Sequence, residues 1–406
     1  MKTVLFISPG YPSEMPDFVR GLAEVGVEVF GLGDQPPGAL PAMTQHALSD
    51  YLQVKSLWDE EQVITEVKEW LGTRLVDRVE CLWEVGMLLA AKLRAALGAK
   101  GLTVEQAIPF RNKEAMKLKL DRAGIRVPRH ASAKGAREIR ARAAEIGYPL
   151  ILKPIAGAGS ADTHRVNDKT ELDLAIKATK HQAEMSVEEF IEGEEYTFDT
   201  VSINGVPQYF NIAWYRPRPL IARSFEWLSP QVIALRRPEA PELSGGVAMG
   251  LAVLRALEFE SGFTHMEWYL KADGEVVFGE IGGRPPGAHQ VDQMNYSCDI
   301  DVFRGWAEAV ALGTYSEPSR RLYNVATIYK RARGEGRIHG VSGYQRFMRH
   351  YADTIVWDNL LPIGAHRRDW KQTLVSDGFM MLRHPDFEST LAIADDFSET
   401  VTMLAQ

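Results

Sequence analysis

An apolar run, Tyr148-Pro-Leu-Ile-Leu-Lys153, delivers a lysine at what reads as the end of a buried strand, then enters a loop of small residues holding Gly157, Gly159 and Ser160. A lysine in that place meets phosphate oxygens as a point charge, and glycines let backbone N–H groups approach the same anion closely. The spacing is neither the Walker loop nor the dinucleotide fingerprint. Taken alone, the segment also fits a surface turn with an incidental lysine. A second run, Val187-Glu188-Glu189-Phe190-Ile191-Glu192-Gly193-Glu194-Glu195, starts as a strand and ends in an acidic turn. Extended backbone offers N–H and C=O groups to an adenine edge, and a carboxylate a few residues on accepts from ribose hydroxyls. By itself this run fits solvated surface as well.

The third element is the most telling. Phe263-Thr-His265-Met-Glu267 and Val276-Val-Phe278-Gly-Glu280-Ile-Gly-Gly-Arg284-Pro-Pro-Gly287 flank an Asp273-Gly274 turn, a strong hairpin signal. The hairpin brings Glu267 and Glu280 into one neighbourhood, where like charges repel unless cations lie between them. Mg²⁺ is the natural cation, because it takes a few carboxylate oxygens together with substrate phosphates. Period-two alternation puts His265 on the face of Glu267. Arg284, stiffened by Pro285 and Pro286, is placed to bind an anion near the metals. Two surface glutamates across a hairpin are the alternative.

The rest of the chain must position these groups. Its 406 residues, 45% hydrophobic and 25% charged, exceed one compact core of typical size, so two or three domains are expected. A net charge of -8 with no long basic block gives no footprint for nucleic acid or an anionic membrane, and no apolar stretch is long enough to span a bilayer. Cys81 and Cys298 stand far apart without metal-ligand spacing, which supports neither a disulfide framework nor a zinc site and fits a reducing, cytoplasmic compartment. The N-terminus reads as a first buried strand rather than a signal peptide.

Residues 3–8, 16–25 and 27–31 form a βαβ opening, and an open α/β domain follows to about residue 108. The Gly10 turn lacks a full dinucleotide fingerprint and reads as a tight connection. Helical spacing over 58–71 and 84–97 predicts packing helices. A helix over 112–124 is stopped by Gly124 and Pro128, and residues 130–191 alternate strands and helices as a small α+β lobe. Residues 196–281 read as strand-rich, with a further hairpin turn at Asn204-Gly205. A smaller segment, 318–406, carries strands near 326–330 and 378–383.

In this order and spacing the set resembles the ATP-grasp superfamily, and within it L-amino acid ligases and related carboxylate–amine ligases. Matching segments run over 111–287, and the flanking domains extend the resemblance to nearly the whole chain. It implies an α/β and α+β multidomain fold: an N-terminal open α/β domain (1–108), an ATP-grasp domain (109–317) with a lid lobe at about 121–187 and a strand-rich core, and a small C-terminal domain (318–406). By position, Lys113 resembles the first phosphate-binding lysine and Lys153 the second, with Gly157, Gly159 and Ser160 closing over the phosphates. The resemblance also gives Glu188 to the adenine amino group, backbone groups of Glu189 and Ile191 to the adenine edge, and Glu195 to the ribose. Glu267 and Glu280 would hold Mg²⁺, or Mn²⁺ in its place, and Arg284 would steady the acyl phosphate and the tetrahedral intermediate. Many family members have Asn where Gly282 stands here, so water or a bridging Glu280 would take the place of that side-chain ligand to a second metal.

The activity implied is activation of a carboxylate by ATP as an acyl phosphate and its capture by an amine, releasing ADP and phosphate. Small-molecule carboxylate and amine substrates are the expected partners, with an amino acid among them, and many relatives form homodimers. His265, Gly287 and His289 are the candidates for touching substrate; His265 also fits a support for Glu267, and His289 with Asp292 fits a helix start. The stretch Trp214-Tyr-Arg216-Pro-Arg218-Pro with Arg223 fits either a carboxylate pocket or an exposed loop. Two other readings stay open: a biotin-carboxylase-like enzyme that activates bicarbonate, and a nucleotide-binding protein without turnover.

Overall fold

The computed structural model describes residues 2–155, 162–318 and 320–406. The N-terminal sheet is parallel, with strands in the spatial order Asp50–Gln53, Glu28–Gly33, Thr3–Ile7 and Arg78–Glu80. Val4, Leu5, Phe6 and Ile7 are wholly buried, as expected of a parallel strand covered on both faces. Helix Met15–Glu24 turns Phe18, Val19 and Leu22 onto one side of it, and helices Glu60–Leu71 and Met87–Leu97 close the other. The helical spacing expected from residue 84 holds only from Met87. Glu84–Gly86 is a separate 3₁₀ turn, which leaves Glu84 at the mouth of the sheet rather than inside a packing helix.

The second body is a nine-stranded sheet. Along it lie Val276–Gly282, Gly262–Leu270, Glu194–Ile203, Ala213–Arg216, Gln231–Ala234, Asn324–Tyr329, Phe379–His384 and Ile355–Asp358, with Val206–Asn211 paired to Glu194–Ile203. This sheet runs without a break across the boundary expected near residue 317. Beyond it, Arg333–Gly334, Thr402–Ala405 and Ile338–Ser342 make a small sheet of their own. Both expected hairpins form: Ile203 pairs with Val206 around Asn204 and Gly205, which both hold positive φ, and Leu270 pairs with Val276.

A four-stranded lobe stands over this sheet, ordered His130–Ala133, Met185–Glu189, Leu150–Pro154 and His164–Val166. Ile139, Ala143 and Ile146 of helix Gly135–Ile146 fall on one stripe and pack with Leu150 and Leu152. Alternation therefore turns Ile151 and Lys153 to the opposite face, toward the cleft below.

A further element departs from the sequence expectation. Within the strand-rich stretch, Ser244–Ala256 is a 13-residue helix carrying Gly245, Gly246 and Gly250. Three glycines argue against a helix by propensity, and close packing overrides them. A Cβ on Gly246 would lie 2.2 Å from the Trp268 ring, and one on Gly250 would lie 2.3 Å from the Phe198 ring. The glycines let this helix sit directly on the rings at the back of the central sheet. We expect Gly246→Ala to lower the unfolding free energy by about 1–3 kcal/mol through overpacking, where helix propensity alone would raise it by about 0.5–1 kcal/mol. Urea unfolding reads the sign.

Candidate functional site

The floor of the cleft between lobe and sheet follows from register. Tyr269, Glu267 and His265 lie opposite Glu195, Thr197 and Asp199 on the neighbouring strand, so alternate residues of both strands face one way. On the other side Glu267 pairs with Glu280 and Trp268 pairs with Phe278, which leaves Gly279 as an extra residue in a bulge. The bulge matters because Phe278 and Glu280, two apart, would otherwise share a face. Here Phe278 is buried against Trp268 in the core while Glu280 opens into the cleft. Only glycine fits at the bulge, since a Cβ on residue 279 would come 2.8 Å from the Glu267 carbonyl oxygen.

Around this floor stand Lys113, Lys153, Glu188, Glu195, Glu267, Glu280 and Arg284, lining about 1090 Å³ of space open to solvent. Lys113 Nζ lies 2.8 Å from Glu280 Oε1, and Lys153 Nζ lies 3.1 Å from Glu188 Oε2 and 3.7 Å from Glu280 Oε2. Burial works against the charge of Lys153, but Glu188 and Glu280 outweigh it and raise its pKa. Burial likewise opposes the Glu280 charge, and Lys113 and Lys153 overcome it, holding the carboxyl down at about 2. Both groups stay ionised through the neutral range.

Lys113, Lys153, Glu188, Glu195, His265, Glu267, Glu280 and Arg284, with Glu189 and Ile191, are thus brought to one cleft. The Glu189 carboxylate turns away to Arg126, and the Ile191 carbonyl accepts from Arg218 Nη1 at 2.7 Å. Gly157, Gly159 and Ser160 lie outside the described residues. Gly287 and His289 do not line the cleft. His289 caps helix Gln290–Cys298, its ring against Trp357 and Phe379 and its Nδ1 2.9 Å from Asp292 Oδ2, so the helix-start alternative describes it. Of the three arginines weighed for a carboxylate pocket, only Arg218 reaches the cleft, where its Nε lies 3.2 Å from Glu195 Oε2. Arg216 is held by Asp395, and Arg223 donates to the Lys371 carbonyl. Burial and the charge of Glu267 push the Glu195 carboxyl up, against the pull of Arg218.

Two residues escaped the sequence reading. Lys117 is wholly buried, with Nζ 2.6 Å from Glu188 Oε1. Burial lowers its pKa to about 8 despite that partner. Its signal was present in the pattern, because Lys113, Met116, Lys117 and Leu120 occupy the i, i+3, i+4, i+7 stripe that a helix buries. Glu84 bridges two arginines: Oε1 accepts from Arg111 at 2.7 Å, and Oε2 accepts from Arg284 at 2.8 and 3.1 Å. It follows the last parallel strand, where open α/β sheets keep their ligand groups.

His265 is gripped from both sides, with Nδ1 2.6 Å from Asp199 Oδ1 and Nε2 3.6 Å from Glu267 Oε1. Asp199 in turn accepts from Thr197 and Asn211. Among the described residues no group of three or more His, Cys, Asp or Glu forms a metal cage. What the cleft does offer is the pair Glu267 and Glu280, all oxygen donors, each side chain about 30% exposed toward the open space. A hard cation that brings waters and substrate phosphates as its other ligands fits that pair.

The family model described as ATP-grasp domain matches residues 110–213. The fold superposes over 100% of this chain and 99% of the other on the crystal structure of an L-amino acid ligase from Bacillus licheniformis, with TM-score 0.80 at 20% identity. The protein has the ATP-grasp fold. The same ATP-grasp architecture aligns with N5-carboxyaminoimidazole ribonucleotide synthetase from Thermotoga maritima over 100% of both chains, at TM-score 0.73 and 17% identity. In sequence, this chain is 25% identical over 250 residues to an L-arginine-specific L-amino acid ligase of Bacillus subtilis, covering 60% of this chain and 59% of that protein. The chain spans about three fifths of the length of the first curated relatives it matches.

Two outcomes follow from the buried charges. Burial lowers the His265 pKa, but Asp199 and Glu267 outweigh it and lift it from 6.5 to about 9. The stability this supplies is fully present below pH 6.5 and is lost as pH rises through 9. Unfolding free energy should therefore fall between those values in the wild type, and His265→Gln should remove that part of the pH dependence. Lys117→Met leaves a buried carboxylate short of a partner and should cost about 3–5 kcal/mol. A double-mutant cycle with Glu188→Gln should show that cost strongly coupled rather than additive.

Proposed function

We propose that the protein uses ATP to activate a carboxylate as an acyl phosphate and joins it to an amine nitrogen, with an amino acid among its substrates. The observation that carries this reading is the convergence of Lys113 and Lys153 on Glu280, opposite Glu267, with Arg284 at the end of the same strand. Two lysines on separate elements beside a paired carboxylate suit a polyphosphate carrying a divalent cation. The relatedness to amino acid ligases supports the choice of substrate class.

In this reading Lys113 and Lys153 exchange their carboxylate partners for phosphate oxygens as the nucleotide arrives. Glu188 and Glu195 face the nucleoside end, Glu195 steadied by Arg218. Glu267 and Glu280 hold Mg²⁺, which when bound spreads the charge of the transferring phosphoryl group. A substrate carboxylate oxygen attacks the γ-phosphorus, the bond to the β–γ bridging oxygen breaks, and ADP is the leaving group. The amine nitrogen then attacks the acyl carbon, gives up a proton, and phosphate departs. Arg284, fixed by Glu84, faces the oxyanion that forms at that carbon.

Residues 121–187 act as the lid, because a mixed anhydride hydrolyses in open water. The division at residue 108, a cytoplasmic setting and a homodimer belong to the same proposal. No helix among the described residues is long and apolar enough to cross a membrane.

The test is Mg²⁺-dependent phosphate release from ATP across a matrix of amino acids and amines, with mass spectrometry of each positive well. A product with the summed mass of two substrates less water is the expected result. ADP without a condensed product would turn the reading toward bicarbonate chemistry, and no stimulation by any pair would leave nucleotide binding without turnover. Glu280→Gln and Arg284→Ala should each abolish the product while circular dichroism still reports a folded chain at the assay temperature, and near-normal turnover in either would sink the site assignment.

A further inference from the structure

We propose that Tyr11, Trp83 and Trp58 form a second subsite, a wall that receives the large apolar side chain of an amino acid substrate. The inference rests on the ligase reading for the word substrate, and on independent geometry for the site. In the N-terminal sheet the chain runs outward from Thr3–Ile7 through Glu28–Gly33 to Asp50–Gln53, then returns to place Arg78–Glu80 on the other side of Thr3–Ile7. Strand order reverses between Thr3–Ile7 and Arg78–Glu80, and open α/β sheets bind ligands outside the carboxyl ends at such a reversal.

The segments that leave these two strands carry Tyr11 and Trp83, and Trp58 reaches across from the segment after Asp50–Gln53. The Trp83 ring is centred 6.0 Å from Tyr11 and 6.0 Å from Trp58, edge to face with both. Yet Tyr11 is 55% and Trp58 70% exposed. Three aromatic rings in a row, two of them open to solvent, stand where the topology places a ligand.

The row stands beside the cleft, which Glu84 lines. The residue after Trp83 is Glu84, which holds Arg284. The wall therefore begins one residue from the carboxylate that holds Arg284.

Its near end disfavours a cation, because two guanidinium groups already converge on Glu84 and leave the sum there positive. Glu84 carries two arginines; Glu14 takes the His289 amide and the Ser13 hydroxyl; Asp59 caps helix Glu60–Leu71 through the Gln62 amide. A ring or branched chain would gain apolar and edge-to-face contacts with the two open rings.

The test is calorimetric titration of the full chain with phenylalanine, leucine and alanine, in the presence of a non-hydrolysable ATP analogue and Mg²⁺. We expect phenylalanine and leucine to bind at least tenfold more tightly than alanine. Tyr11→Ala/Trp58→Ala should bring all three to the same affinity with the analogue's own affinity unchanged, which also shows that the variant is folded. A wild type that binds phenylalanine no better than alanine, or a double variant that keeps the preference, would overturn the subsite. Preferential binding without phosphate release in the matrix assay would keep the subsite and overturn the ligase reading instead.

Discussion

Carboxylates and lysines can share a closed space only if their charges alternate, and that constraint organises the centre of this molecule. Glu188 stands between Lys117 and Lys153, and Glu280 between Lys113 and Lys153. The lysines come from a helix and from the lobe, and the glutamates from the lobe and from the central sheet, so the network spans both bodies. An unpaired charge in such a place would cost several kcal/mol (about 3–5 for breaking a buried pair). The lobe's docking and the strength of the cleft's electrostatics are therefore one problem with one solution. A polyphosphate with its cation would carry both signs and so could replace protein partners on each side without leaving a charge bare.

Backbone detail decides which groups enter that network. The bulge at Gly279 lets Phe278 keep its place against Trp268 while Glu280 swings into the cleft. On the back of the same sheet, Gly246 and Gly250 let a helix press against Trp268 and Phe198, which stiffens the strands that carry Glu267 and Glu195. Glycine thus serves both faces of the floor, by a register shift on one and by close approach on the other.

Much of this was legible in the sequence because local patterns carry it. A strand ending in Lys153, a hairpin at Asp273-Gly274 and a helix opening with Lys113 each announce themselves over a dozen residues. The bulge was less visible: simple alternation brings Glu267 and Glu280 near each other but does not say that Phe278 must face the other way. Lys117 hid because a lysine on a helix is ordinarily read as solvated, even though its spacing from Met116 and Leu120 put it on the buried stripe. Glu84 hid because the apolar spacing of 87–97 extends one turn too far upstream on paper. The helix Ser244–Ala256 was illegible for a different reason. Its glycines are unfavourable locally and make sense only against rings contributed by distant strands. What propensity and periodicity cannot supply is the identity of a neighbour across the fold.

The double grip of Glu84 has a consequence for how such proteins can be recombined. Arg111 and Arg284 both depend on a carboxylate that belongs to the N-terminal sheet. A chimera that replaced that sheet with one from another protein would therefore exchange more than a specificity cassette. Unless the graft carried an acid at the same elbow, two guanidinium groups would lose their shared anchor and the arginine beside the cleft would be free to wander. Transplantation has to respect this seam, whose key position lies outside the segment that a search for nucleotide-binding sequence would delimit.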